Sequence, residues 1–180
     1  YFKDKISDCI KSNKSIFVTT HLDCDGLTSG SIITKALIRE GAKCTVRTSK
    51  EFTKNIAESF KADSRDFHII TDLAGGFANT LDKELNDNWI VLDHHQIPDE
   101  ELDNQNVINS WKFGIDGGTE ICAGGMAYLA SMALDEKNSD LSSIAVVSAL
   151  GDRQDQGEKK SFTGKNFEIA NTARDQGLVE

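Results

Sequence analysis

Short apolar runs, each ending in polar residues, recur through the first hundred positions. Ser15–Thr20 (S-I-F-V-T-T) is β-branched and reads as a buried strand. Leu27 to Glu40 carries Leu27, Ile32, Ile33, Ala36 and Leu37 at roughly helical spacing, with Gly41 as its stop. Lys43–Thr48 reads as a second strand, Lys54–Phe60 as part of a helix and Phe67–Asp72 as a third strand. A weakly helical stretch around Leu81–Leu85 precedes a fourth strand at Trp89–Asp93, and Asn106–Ser110 is a fifth. The second half reads as helical over Cys122–Leu134, Leu141–Leu150 and Gly164–Arg174. This order predicts an α/β fold, a parallel β-sheet flanked by helices, with a mostly helical C-terminal half. The glycine-rich Gly114–Gly125 is too mixed for a linker and is expected to be an ordered loop that approaches something closely.

The 180 residues suit one domain, or one and a fraction. A hydrophobic share of 38% with 27% charged residues is ordinary for a soluble globular chain and wrong for a disordered one. No apolar run spans a bilayer and no secretory signal opens the chain, so no membrane partner is expected. Because residue 1 is Tyr1 and not Met, the numbering is expected to begin inside a longer chain. Cys9, Cys24, Cys44 and Cys122 form no C-x-x-C pair, which argues against a zinc knuckle or disulfide framework. They read as packing residues in a cytoplasmic protein. The net charge of −9 means either an acidic, soluble surface or acids that converge on cations.

The positions of the acids favour cations. His21, Asp23 and Asp25 follow the first strand in T-H-L-D-C-D-G; Asp72 ends the third; Asp93, His94 and His95 end the fourth in V-L-D-H-H. In an open parallel sheet these strand ends share the edge where ligands bind. Asp152, in A-L-G-D-R-Q-D after an apolar helix, can reach the same edge. Taken singly, Asp72 reads as a cap, Asp25 as a turn residue and the histidine pair as surface; together, at successive strand ends, they point to divalent ions. Mixed imidazole and carboxylate donors suit manganese better than calcium, with magnesium a weaker substitute. Two ions about 3.5–4 Å apart can clamp a phosphate and activate water. If the first cluster is extended, His21, Asp23 and Asp25 face one way and the Cys24 thiol faces the other. Adjacent histidines diverge, and His94, nearer the strand, is the better ligand candidate. His68 lies inside a strand and reads as a packed core residue.

V-L-D-H-H resembles the signature of the DHH phosphoesterase superfamily. H-L-D-C-D-G-L-T-S-G, T-D-L and L-G-D-R-Q-D resemble its other three motifs, in order, from His21 to Asp152. The first motif and G-T-E-I-C-A-G-G-M-A-Y-L resemble the archaeal RecJ-like nucleases most. The resemblance implies that His21, Asp23, Asp25, Asp72, His94 and Asp152 bind two divalent cations, with Asp72 bridging. His95 would contact the phosphate or assist the leaving oxygen, and Asp93 would orient a ligand. It implies a manganese-dependent exonuclease on single-stranded DNA or RNA, with a GINS-type replication complex as a further partner. Alternatives are a phosphodiesterase or phosphatase for short oligonucleotides, cyclic dinucleotides or nucleotide bisphosphates, and a replisome-associated structural module. Residues 1–180 would be the DHH catalytic domain, with Glu180 preceding a linker and a second, substrate-binding domain whose glycine-rich histidine motif is not found here.

Overall fold

The computed structural model describes residues 1–62 and 65–180. Its centre is a five-stranded parallel sheet of β1 (Ser15–His21), β2 (Lys43–Ser49), β3 (Phe67–Thr71), β4 (Trp89–Asp93) and β5 (Val107–Asn109), in the spatial order β2-β1-β3-β4-β5. The inner strands β1, β3 and β4 read as nearly continuous apolar runs because both of their faces are covered. Ile16, Val18, Ile69, Ile90 and Leu92 enter one core, while Ile70, Trp89 and Val91 enter the other, as side-chain alternation requires.

The first face is covered by α1 (Phe2–Lys11), α2 (Cys24–Arg39), α6 (Ala123–Leu134), α7 (Ser142–Gly151) and α8 (Gly164–Asp175), which contribute Ile6, Ile33, Leu37, Ala127, Ala145 and Ile169. The second face is covered by α3 (Lys54–Phe60) and α4 (Ala78–Leu85) through Phe60, Leu81 and Leu85; a single turn, α5 (Asp99–Leu102), follows β4. Each fully buried Ile or Leu contributes roughly 1.5–3 kcal/mol, so the two-sided burial of β1, β3 and β4 fixes the sheet's register. His68 is a packed residue, stacked on Phe60 with ring centroids 4.5 Å apart.

Several boundaries differ from the sequence reading. The helix α1, not assigned from sequence, buries Phe2, Ile6 and Cys9, a one-sided stripe on an otherwise polar segment. The helix α2 begins at Cys24, three residues before Leu27, because the Asp23 side chain caps it by accepting from the Gly26 amide at 2.9 Å. The third strand stops at Thr71, since Asp72 turns into the left-handed region at φ +60. Asp tolerates that conformation better than most side chains. Cys9 and Cys122 are buried as expected, but Cys24 is exposed.

The turn from β1 into α2 is tight at Gly26, where an added Cβ would lie 2.3 Å from the His21 carbonyl oxygen, a backbone atom that cannot swing aside. Gly26→Ala is therefore expected to destabilise the domain by about 1–3 kcal/mol or more. Urea unfolding measures this, and a midpoint equal to the parent's would show that the turn has slack.

Candidate metal centre

The register brings His21, Asp72 and Asp93 level at one edge, because Thr20 pairs with Thr71 and Thr71 with Leu92. Beneath them a buried hydroxyl network ties the elements together. Ser29 of α2 donates to Thr71 at 3.0 Å, and Thr71 donates to Thr20 at 2.8 Å.

The first cluster divides in two. His21 Nδ1 lies 2.8 Å from Asp23 Oδ2 and 3.6 Å from Asp72 Oδ2, while its Nε2 meets the Lys50 carbonyl at 3.0 Å. A proton on Nε2, donated to that carbonyl, leaves Nδ1 free to ligate. Asp25 does not continue an extended loop, as the sequence suggested; it sits in the first turn of α2 and reaches the other side. Its Oδ2 accepts from the Ala123 amide at 2.8 Å and its Oδ1 from the Gly124 amide at 2.9 Å, both at the N-terminus of α6. The Ser148 hydroxyl also donates to Oδ1. Helical geometry thus takes Asp25 to His94 and Asp152, and turns the Cys24 thiol towards the Val147 carbonyl on α7, 3.7 Å away.

Asp72 stands between the two groups. Its Oδ2 faces His21, and its Oδ1 lies 3.3 Å from His94 Nε2 and 3.9 Å from His95 Nδ1. Burial, reinforced by the Asp25 charge and opposed by the hydrogen bond to His94, raises its pKa to about 6. His94 Nδ1 donates to the Gly117 carbonyl at 2.6 Å, which leaves Nε2 facing Asp25 Oδ2 and Asp72 Oδ1, each at 3.3 Å. Burial opposes the charged ring, but the Asp72 hydrogen bond, the Asp25 charge, the Gly117 carbonyl and the Asp93 charge outweigh it and raise the pKa to about 10.

Asp93 is buried and engaged on both oxygens. Oδ1 accepts from the amides of His94 (2.8 Å) and His95 (3.2 Å) and from His95 Nδ1 (2.7 Å); Oδ2 accepts from the Gly75 amide at 3.0 Å. Burial alone would raise its pKa, yet the bond to His95 and the neighbouring imidazoles hold the carboxyl below its usual range. That bond also raises the pKa of His95, against partial burial. The His95 side chain is 59% exposed, and with Nδ1 engaged its Nε2 is the free ring atom.

Asp152 caps the end of α7 and lies with Asp25 and His94, its pKa raised chiefly by burial. Its Oδ2 accepts from Gln154 Nε2 at 2.7 Å. Sequence reasoning missed Gln154. This buried amide also donates to the Gly117 carbonyl at 2.8 Å and to the Ile121 carbonyl at 3.3 Å. Its only sequence signal is its place two residues after Asp152. The close approach expected of the glycine loop is real: a Cβ on Gly117 would lie 1.8 Å from the His94 carbonyl oxygen. An open cavity of about 360 Å³ is lined by His94, His95, Asp152, Trp111 and Gly117–Gly118.

Among the described residues, three groups of donors lie within ligating reach of one point: His21–Asp23–Asp72, Asp25–His94–Asp152, and Asp72–Asp93–His94–His95. Since Asp93 is engaged by four protein donors, the first two groups, with Asp72 next to both, are the ones that fit ions. The recorded ion pairs of these acids run to histidines. Ionised, the candidate carboxylates Asp23, Asp25, Asp72 and Asp152 would carry −4, which two divalent ions would balance. The donor set therefore fits a pair of divalent cations.

The family described as DHH family, N-terminal domain, matches residues 15–151. An uncharacterized protein of Methanocaldococcus jannaschii is 33% identical over 171 residues, covering 92% of this chain and 38% of that protein. A crystal structure of exonuclease RecJ bound to manganese superposes with a TM-score of 0.72 at 18% identity, covering 95% of this chain and 46% of that one. RecJ of Thermus thermophilus in complex with Mn2+ gives 0.71 at 18% identity, covering 95% and 26%. The chain thus spans less than half the length of each, and at these identities the solved structures establish a shared fold. No helix among the described residues is long and apolar enough to cross a membrane.

Two outcomes follow from the geometry. An ion at His94 must displace the ring's proton, so deprotonation and binding are linked. With a pKa of about 10, each unit of rising pH makes that proton cheaper to lose. Metal affinity should rise from pH 6.5 to 8.5, about tenfold per unit for each proton released. Titration against a chelating dye measures this, and a flat profile would show that binding displaces no proton from His94 in this range. Asp72→Ala removes the carboxylate next to both groups and should empty at least one site. Elemental analysis showing two ions per chain in that variant would refute the bridging geometry.

Proposed function

The chain belongs to the DHH family, and we propose that this domain is the catalytic part of a two-metal phosphoesterase that hydrolyses phosphodiester bonds of single-stranded nucleic acid from an end. One observation carries the reading. The two oxygens of buried Asp72 face different donor groups, Oδ2 towards His21 and Oδ1 towards His94. A single carboxylate so placed suits two adjacent ions.

His21, Asp23 and Asp72 would hold one ion, and Asp25, His94, Asp152 and Asp72 the other. Bound there, two divalent ions supply Lewis-acid polarisation of the phosphoryl group and an activated water. The protein supplies position and protons. Asp93 locks the turn after β4 and fixes His95 through Nδ1. The hydrogen bond to Asp93 raises the pKa of His95 against partial burial, and a ring protonated on both nitrogens would donate from Nε2 to the phosphate or to the departing oxygen. The two imidazole ligands favour manganese over magnesium, and RecJ structures of this fold are described with Mn2+.

The net charge of −9 leaves this domain poorly suited to hold a long polyanion unaided. A second domain after Glu180 is proposed to supply the basic groove. The same charge, with a cavity of about 360 Å³, favours the alternative of short oligonucleotides, cyclic dinucleotides or nucleotide bisphosphates. A GINS-type replication partner is a separate proposal that recovery in a pull-down would support. The free cysteines suit a reducing cytoplasm.

Comparing a 5′-labelled single-stranded DNA oligomer with a dinucleotide under manganese decides the substrate. The oligomer should turn over faster; faster dinucleotide turnover would move the assignment to the alternative. Manganese should outperform magnesium, and chelation should abolish activity. His95→Ala should keep both ions and slow single-turnover cleavage by about 10²–10⁴-fold. Loss of metal from this variant with retention in His94→Ala would reverse the roles within the pair.

A further inference from the structure

Trp111 has no part in ion binding, yet the structure fastens it to the centre of the site. It lies in the 3-10 turn Ser110–Phe113, directly after β5. Its amide donates to Asn109 Oδ1 at 3.0 Å, and the same Asn109 donates through Nδ2 to the His95 carbonyl at 3.0 Å. Its indole Nε1 donates to the His94 carbonyl at 2.9 Å. Both histidines of the V-L-D-H-H segment are thus bonded to the segment that holds this ring. The other tryptophan, Trp89, is fully buried. Trp111 is only half-buried and lines the cavity beside His94, His95 and Asp152.

The indole's one polar atom is already engaged. What remains for a ligand is the aromatic surface, which offers no further hydrogen bond and no charge. The part of the ring left open to the cavity can accept a flat aromatic partner. Gly117 and Gly118 contribute backbone alone to the same lining, and Gly118 is exposed, so the cavity keeps room beside the ring. Its volume of about 360 Å³ falls within the range of small-ligand sites, about 300–1,000 Å³.

We propose that Trp111 is the stacking platform for the nucleobase of the nucleotide whose phosphate sits at the candidate metal centre. The site then takes nucleotides and discriminates against phosphate compounds that carry no base. Stacking reads an aromatic face and tolerates any base, so the proposal assigns substrate class without sequence preference. It rests on the phosphoesterase reading only for the place of the phosphate.

The test uses binding, without turnover. With magnesium present, dAMP and its base-free counterpart deoxyribose 5-phosphate are compared by equilibrium dialysis and by tryptophan emission. dAMP should bind more tightly and quench Trp111. Trp111→Phe, whose remaining tryptophan is the buried Trp89, should show no quenching. Trp111→Ala should weaken dAMP by about 5- to 100-fold and leave deoxyribose 5-phosphate unchanged. Trp111→Phe should keep most of the dAMP affinity although it cannot donate to the His94 carbonyl, which separates stacking from the hydrogen bond. Equal binding of the two ligands by the parent overturns the proposal. So does equal weakening of both by Trp111→Ala, or a Trp111→Phe variant that binds like Trp111→Ala. A protein that cleaves DNA but shows no base dependence loses only the Trp111 assignment. One that shows base dependence but never cleaves loses only the phosphoesterase reading.

Discussion

The carboxylates of Asp25, Asp72 and Asp93 lie out of water at one edge of the sheet, and their burial, to which the Asp25 charge adds at Asp72, is the constraint to which the surrounding structure responds. A buried carboxylate without partners costs several kcal/mol. Each of the three is stabilised differently. Asp25 is met by the amides that open α6, Asp93 by three backbone amides and an imidazole, and Asp72 by histidines. Asp93 has four protein donors and Asp25 three, whereas Asp72 has few donors of its own and a raised pKa, which makes it the carboxylate most open to a cation.

The sheet makes this arrangement possible by supplying rigidity below the site. Apolar side chains on both faces hold β1, β3 and β4 in register, so three strand ends present their polar residues at one level. The hydroxyls of Thr20, Ser29 and Thr71 then fill the layer between the apolar core and the acids. They pair with one another, and no charge is needed to satisfy them.

Much of this was legible in the sequence, for identifiable reasons. The buried strands announce themselves because two-sided burial gives uninterrupted apolar runs, and the acids stand out because they follow those runs. The start of α2 was misplaced because capping by Asp23 depends on a side-chain bond that hydrophobic spacing does not encode. That error also hid the way Asp25 parts from His21 and Asp23: a helical turn, not strand alternation, carries it across. The helix α1 does carry a one-sided stripe, Phe2, Ile6 and Cys9 at i, i+4 and i+7, but it lacks a capping side chain to mark its start. Gln154 and Trp111 escaped for a different reason. Their importance lies in partners distant in the chain, Gly117 for the first and His94 for the second, and no local pattern marks such pairs.

The Gly117 carbonyl accepts from His94 Nδ1 and from Gln154 Nε2. One backbone oxygen thereby joins two motifs that are far apart in the chain. Its neighbourhood excludes any side chain at 117, so that position cannot drift. A change at residue 154 removes the donor that Asp152, the Gly117 carbonyl and the Ile121 carbonyl share, and leaves His94 as the remaining partner of the Gly117 oxygen. A chimaera that exchanges the glycine loop without its partner from the fourth motif would keep every acid and imidazole of the candidate centre and lose the backbone contact that orients two of them.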